Sequence, residues 1–150
     1  MSEDDDLHAR AWQALMSTDP ADKCRRAGQL WRDWQDARLS VPFASACAVV
    51  AVDDAGRPAL PVLIAHTAVP RRKPGTPEGH AALLHAIAHI EFNAINLALD
   101  CVYRFRGLPA DFYAGWLQVA AEEAYHFGLV CDRLAALGHA YGDFPAHRGL

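Results

Sequence analysis

Apolar residues recur at helical spacing over two long stretches in the second half of the chain. The first stretch runs from about Thr76 to Arg106, and the second from about Ala110 to Gly138. The first apolar stripe consists of Leu84, Ile87, Ala88, Ala94, Ile95, Ala98, Val102 and Phe105, and the second of Trp116, Val119, Ala120, Phe127, Val130, Leu134 and Leu137. This periodicity predicts two amphipathic helices. Because only residues 107–109 separate them, we expect the helices to pack as an antiparallel hairpin.

The first half of the chain carries shorter patterns. Residues 1–6 form an acidic terminus that we expect to be flexible. Residues 7–39 predict two short helices broken at residues 17–20, where Asp19 can cap and Pro20 can occupy the first turn. Residues 40–79 are rich in proline and predict an extended segment, in which the turn at residues 53–56 can be flanked by a short hairpin. Residues 80–150 hold the helical hairpin and a C-terminal loop. We therefore expect an all-α fold in which the hairpin is half of a four-helix bundle.

Composition and charge restrict the classes of partner. With 52% hydrophobic and 21% charged residues over 150 positions, the chain has an ordinary globular balance. Its formal net charge of -4 gives no general attraction to nucleic acid, and the short basic run at residues 71–73 is typical of a solvated loop. The four cysteines lie apart, the N-terminus is acidic where a secretory signal is basic, and no apolar run approaches the roughly 18 residues of a membrane span. These features predict a soluble, cytoplasmic protein with reduced thiols and no membrane partner.

Three polar residues interrupt the apolar stripes. Glu91 falls at the centre of the first stripe, and Glu123 and His126 share the face of the second. An unpaired carboxylate buried among apolar side chains is costly, so each of these groups needs a proton, a partner or a cation. Glu123 and His126 are three residues apart, which on a helix is about 60° around the axis and about 4.5 Å along it. Both side chains can therefore bind one ion.

The three residues also lie at one level of the hairpin. Glu91 comes 17 residues before Leu108, and Glu123 comes 15 residues after it. At about 1.5 Å per residue, the two carboxylates differ by about 3 Å in height. Each residue alone is more simply read as half of a salt bridge or as a half-buried polar group. Their coincidence in face and height predicts instead a metal centre with Glu91, Glu123 and His126 as ligands.

Other polar residues on these helices predict solvated surface. Glu122 falls on a more polar strip of the second helix, as is typical of a solvent-facing charge. His85 and His89, four residues apart, fall on the face opposite Glu91. That face also carries Asn93, Asn96 and Asp100. We expect it to be exposed to solvent.

A carboxylate on one helix and Glu-x-x-His on the next form the half-site of ferritin-like, carboxylate-bridged di-iron proteins. In this sequence the half-site reads Ala88-His89-Ile90-Glu91 and Ala121-Glu122-Glu123-Ala124-Tyr125-His126-Phe127. The flanking motifs are Gly56-Arg57-Pro58, Pro70-Arg71-Arg72, Pro74-Gly75-Thr76-Pro77-Glu78-Gly79, Leu84-His85-Ala86-Ile87 and Tyr141-Gly142-Asp143-Phe144-Pro145-Ala146-His147. With these motifs the chain resembles a bacterial ferritin-like family of unknown function, of the DUF455 type, which is related at the fold level to the di-iron tRNA hydroxylases.

The resemblance implies a larger set of ligands than this chain holds. Proteins of that family continue into two further helices, which supply a second Glu and a second Glu-x-x-His. Three ligands are too few for a closed dinuclear site. We therefore expect either a truncated form or a homodimer in which two hairpins complete the bundle about a two-fold axis.

Two classes of function remain open. The resemblance implies a di-iron, or manganese and iron, oxidoreductase or hydroxylase-like protein that activates dioxygen on an unknown substrate. In that reading Glu91 and Glu123 bind or bridge the metal ions, and His126 is a terminal nitrogen ligand. The alternative is a metal-free helical interaction or dimerisation module derived from the ferritin-like fold. The incomplete ligand set favours this module, and the convergence of three costly polar groups opposes it.

Overall fold

The computed structural model describes residues 6–149, and its architecture is all-α, as expected. The helices are α1 (Leu7–Met16), α2 (Pro20–Gln35), α3 (Pro77–Arg104) and α4 (Ala110–Ala136). Two strands of two residues each, β1 (Leu63–Ile64) and β2 (Ala146–His147), and a 3-10 turn at His66–Ala68 complete the regular structure of the described residues.

The first two helices begin at side-chain caps. Asp19 accepts hydrogen bonds from the backbone N–H groups of Ala21 and Asp22, and Pro20 occupies the first turn of α2, which confirms the predicted break. Asp6 caps α1 in the same way and also accepts a hydrogen bond from Ser45 at 2.8 Å. Asp6 is therefore an ordered, buried cap and does not belong to a flexible terminus; residues 1–5 lie outside the described residues.

Helices α3 and α4 form the predicted antiparallel hairpin. Thr76 caps α3, which ends at Arg104, and the connection includes Gly107 with a φ of 68°, a value that favours glycine. The helices run in opposite directions, since two aromatic pairs join successive levels of the hairpin: Phe105 with Phe112, and Phe92 with Phe127. The turn at residues 107–109 is thus confirmed.

The core lies between the α3–α4 hairpin and the two N-terminal helices. Helix α1 packs mainly on α3, and α2 packs mainly on α4. The most deeply buried side chains are Leu7, Leu15, Leu30, Phe92, Ile95, Leu99, Tyr103, Tyr113, Leu117 and Leu134. The N-terminal helices therefore cover one side of the hairpin, while apolar side chains elsewhere on the two long helices, among them Ile90 and Leu129, stay exposed.

The buried face of α3 is rotated relative to the predicted stripe. Ile95 and Val102 are buried as expected, but Phe105 is 46% exposed, and Phe92 and Leu99, which were not in the stripe, are fully buried. The face follows the position of α1, which the periodicity of α3 alone does not specify.

The predicted solvated strip with His85 and His89 is wrong, because these side chains are only 1% and 2% exposed. The C-terminal segment covers them. His85 Nε2 accepts a hydrogen bond from the Gly142 N–H at 3.0 Å, and His89 contacts the Tyr141 hydroxyl and the His147 carbonyl at 2.8 and 3.1 Å. The two imidazoles therefore hold the chain after α4 against α3.

The predicted hairpin around residues 53–56 is also wrong. Within the described residues, β1 pairs in parallel with β2, with Leu63 opposite Ala146. The turn docks on α1 instead: the Gly56 N–H donates to the Leu15 carbonyl at 2.9 Å. A side chain at position 56 would lie 2.2 Å from the Met16 carbonyl oxygen, so only glycine fits there.

Helix α3 is long and apolar enough to cross a membrane by length and composition, contrary to the expectation that no segment would be. Its contacts with α1 and α4, and the histidines in its buried face, are those of a core helix. A core helix passes the same test of length and composition, so the test is weak evidence for a span.

Candidate metal centre

The hairpin brings the three residues of the predicted metal centre together. Ligand atoms of Glu91, Glu123 and His126 all lie within 4.8 Å of one another. His126 Nδ1 is 3.6 Å from Glu123 Oε2 on its own helix and 4.0 Å from Glu91 Oε2 on the other.

Their common level follows from the geometry of the hairpin. Phe105 and Phe112 are in contact near the turn, with ring centroids 5.9 Å apart. Glu91 comes 14 residues before Phe105, and His126 comes 14 residues after Phe112. Two helices with the same rise therefore bring Glu91 and His126 to the same height. Glu123 lies near this height too, because it is about one turn from His126 on the same face of α4.

The spacing of the ligand atoms fits a metal ion. Ligand atoms at about 2.0 to 2.2 Å from one ion are at most about 4.4 Å apart. His126 Nδ1 meets this limit with both carboxylates. All three ligand atoms lie within 4.8 Å of one another, slightly more than this limit. A donor set of carboxylate oxygens and imidazole nitrogen without thiolate suits iron, manganese or zinc.

The centre lies at the edge of the core, not in its middle. The side chains of Glu91, Glu123 and His126 are 20%, 24% and 49% exposed. The expectation of three fully buried groups is therefore wrong for the described chain, because α1 and α2 pack on the other side of the hairpin. The cost of burying an isolated carboxylate is therefore weaker evidence for a metal site than the sequence implied. The convergence of the three side chains is the stronger evidence.

The comparisons with known proteins identify the family of the chain. The family model described as protein of unknown function (DUF455) matches residues 16–150, which include all three residues of the centre. The chain belongs to this family. An uncharacterized protein of Haemophilus influenzae is 43% identical over an alignment that covers 96% of this chain and 54% of that protein. The chain thus spans about half the length of this DUF455 relative. No solved structure matches the chain.

The side of the hairpin around the metal centre is apolar. Leu84 and Ile87 on α3 and Trp116 and Val119 on α4 are half-buried at the helical spacings that place them beside the three polar residues. Large apolar side chains on the same two helices are exposed: Ile90 at 48%, Leu97 at 57% and Leu129 at 49%. Exposed apolar surface of this extent is typical of an interaction site.

The other polar and thiol side chains considered on the two long helices lie outside the cluster of Glu91, Glu123 and His126. Glu122 is exposed and accepts a hydrogen bond from Gln118 at 3.0 Å, which confirms its prediction as a solvated charge. His80 is exposed near the start of α3 and is not part of the cluster. Cys101 and Cys131 are free thiols.

The sequence patterns missed two buried polar residues away from the metal centre. Lys23 on α2 is fully buried, and Asn96 on α3 is 7% exposed. Lys23 shares the spacing of Ala27 and Leu30, so the periodicity of α2 could have placed it on the buried face. Asn96 was assigned to the strip with His85, His89, Asn93 and Asp100 that was expected to be solvated.

Proposed function

We propose that this DUF455 protein contributes half of a carboxylate-bridged dinuclear metal centre in an oxidoreductase-type protein that activates dioxygen. The observation that supports this most directly is the approach of Glu91, Glu123 and His126 to within 4.8 Å of one another across the hairpin. The same pattern of a Glu on one helix and Glu-x-x-His on the next describes one half of the ligand set in ferritin-like di-iron proteins.

Each side chain has a separate task in such a centre. Glu91 and Glu123 supply carboxylate oxygens, which can each bind one ion or bridge two. His126 supplies a nitrogen through its neutral imidazole, so metal binding competes with protonation of this ring. A dinuclear iron or manganese and iron centre supplies electrons to dioxygen when bound. Iron and manganese suit this donor set by geometry and supply, since affinity order alone favours zinc and copper.

The partner that completes the centre is a second copy of the hairpin. Two copies related by a two-fold axis provide four carboxylates and two imidazoles, which is the ligand set of a ferritin-like dinuclear site. The apolar side of α3 and α4 supports this association, because Ile90 and Leu129 would be removed from water in it. Six ligands from two hairpins would also remove the partial exposure of the three side chains.

A metal-free helical interaction module is the second candidate. The partial exposure of Glu91, Glu123 and His126 favours it, because a half-solvated contact between an imidazole and two carboxylates costs little to keep without metal. In this reading the apolar side of the hairpin is retained for association alone.

Metal titration of matched variants separates the two candidates. The purified chain should bind iron(II) without oxygen, or manganese(II), in a fixed ratio to protein as measured by elemental analysis after desalting. Glu123→Ala should lose this metal. Glu122→Ala removes the adjacent carboxylate, which is exposed and lies outside the cluster, and should keep it. The proposal fails if the unchanged chain retains no stoichiometric metal, or if both variants lose it equally.

A further inference from the structure

A second site lies away from the metal centre, in a cleft between α3 and residues 52–57 of the proline-rich segment. The cleft has a volume of about 250 Å³, and none of the three metal-centre residues lines it. Its polar wall consists of Asp53, Asp54, Arg57, Asn96, Asp100 and Arg104. Two ion pairs lie within this wall, one between Arg57 and Asp54 and the other between Arg104 and Asp100.

A buried cation lies directly behind this wall. The Lys23 ammonium donates to the Leu15 carbonyl at 2.8 Å, to the Gly56 carbonyl at 2.6 Å and to the Asn96 side-chain oxygen. These three bonds use all of its N–H groups, yet no carboxylate in residues 6–149 lies within ion-pair distance of it. Burial, with a smaller contribution from the nearby charge of Arg57, lowers the pKa of Lys23 to about 7. The ammonium has no direct ion-pair partner, and the charge of Asp54 compensates it only from a longer distance.

Lys23 also fixes the orientation of the Asn96 amide. Because Asn96 Oδ1 accepts from the ammonium, its Nδ2 group is turned to the other side, where it has no hydrogen-bond partner. Arg57 presents a similar donor: its Nη2 group donates to Asp54 at 2.5 Å, while its buried Nε–H has no partner. Lys23 bonds both Asn96 and Gly56, the neighbour of Arg57, and both Asn96 and Arg57 line the cleft.

We propose that this cleft binds the carboxylate group of a small molecule, with one oxygen accepting from Asn96 Nδ2–H and the other from Arg57 Nε–H. A planar, two-oxygen anion matches two N–H donors, and Arg is the residue best suited to such a pairing. The anion also adds a negative charge near Lys23, which has no direct ion-pair partner. A carboxylate monoanion fits better than a phosphate dianion, because the exposed Asp53, which makes no ion pair within the described residues, repels a single negative charge less than two.

Both donor nitrogens are covered in the structure, so a ligand oxygen reaches them only when residues 53–57 move outward from α3. This segment contains no helix or strand, and its movement breaks fewer hydrogen bonds than a displacement of α3 would, chiefly the bond from the Gly56 N–H to the Leu15 carbonyl. The Lys23 bond to the Gly56 carbonyl then holds this part of the segment in place, so that the segment can close again over the ligand.

Side-chain nitrogen resonances test the proposal without reference to the metal centre. The full chain, labelled with ¹⁵N, is titrated with sodium acetate against sodium chloride at the same ionic strength. Acetate should produce saturable shifts of the Asn96 amide and the Arg57 Nε–H, which chloride does not produce. Absence of a saturable acetate shift overturns the proposal, and equal saturation by inorganic phosphate overturns the assignment to a carboxylate.

Two variants test the donors of Arg57 and Asn96 separately, and a third variant is the control. Arg57→Gln should raise the apparent dissociation constant for acetate about tenfold or more, because a hydrogen bond to a charged group is lost. Arg25→Gln, which breaks an Asp–Arg pair of the same spacing on α2, should leave it unchanged. Asn96→Asp replaces the donor with a carboxylate of the same shape beside Lys23, so it should abolish acetate binding while raising the melting temperature. Acetate affinity in Asn96→Asp equal to that of the unchanged chain would contradict the proposal.

Discussion

His126 Nδ1 lies 4.0 Å from Glu91 Oε2, and the two residues belong to different long helices. The remaining member of the cluster, Glu123, is on the same helix as His126. An ion bound by all three residues would therefore join α3 to α4 near the middle of both helices. Binding of metal and stability of the hairpin should be coupled, because the unfolded chain does not hold these groups together.

Metal should raise the melting temperature of the chain. At free manganese(II) about 100-fold above the dissociation constant, the gain is about 2.7 kcal/mol, which corresponds to about 5 to 10 °C for a domain of this size. Differential scanning calorimetry with metal and then with excess chelator measures the shift. His126→Ala should abolish it, whereas His80→Ala, on the exposed start of α3, should retain it. A shift of equal size in both variants would mean that metal binds elsewhere.

Removing Glu123 should cost the metal-free protein little. Its side chain is 24% exposed, and that of its partner His126 is 49% exposed, so their ion pair is close to a surface pair. Such pairs contribute less than about 1 kcal/mol, and Glu123→Ala should lower the free energy of unfolding in urea by no more than that.

Phe127→Ala is the reference for this measurement. Phe127 is 4% exposed and packs on Phe92, so its loss should cost about 3 to 5 kcal/mol. A loss in Glu123→Ala that approaches the loss in Phe127→Ala would show that the cluster is a structural salt bridge and would favour the metal-free module.

The ends of the helices and the convergence of Glu91, Glu123 and His126 could be predicted because both depend on local geometry. Asp19 with Pro20 and Thr76 with Pro77 act within one turn of the chain. The level of Glu91 and Glu123 depends only on the rise of two helices and a short turn between them. None of these features needs information from distant segments.

The face of α3 that is buried could not be predicted in this way. His85 and His89 read as polar positions, but the segment that covers them lies more than 50 residues further along the chain, with Tyr141 stacked on His85. A neutral imidazole with partners for its nitrogens is compatible with a core, so side-chain polarity alone does not indicate exposure. The same lack of long-range information explains the rotation of the apolar stripe that left the metal centre at the edge of the core.

Acidification should destabilise the protein through His85. Burial, with a smaller contribution from His89, lowers the pKa of His85 from 6.5 to about 4. As the pH falls from about 6.5 towards 4, the unfolded chain takes up a proton that the folded chain does not, so stability is lost across that window. The loss between pH 7 and pH 5 is about 2 kcal/mol from this residue, as measured by urea unfolding at the two values.

His85→Gln separates this effect from the other histidines. Glutamine can still accept the hydrogen bond from the Gly142 N–H but does not titrate. Burial also lowers the pKa values of His8 and His89, so the variant should reduce the pH dependence without removing it. His80→Gln, at an exposed position, should leave the pH dependence unchanged. If His85→Gln unfolds with the same pH dependence as the unchanged chain, His85 is not the titrating group.

Association through the apolar side of the hairpin should depend on Ile90 and Leu129. These side chains are 48% and 49% exposed, and they flank the metal centre on α3 and α4. Analytical ultracentrifugation at micromolar concentration should show a dimer, and Ile90→Glu with Leu129→Glu should shift it to a monomer with the same helix content by circular dichroism. Val49→Glu removes an apolar side chain of similar exposure outside the two long helices and should leave the dimer intact. A monomer in the unchanged chain would mean that α1 and α2 suffice to close the core, and that a partner other than a second copy must complete the ligand set.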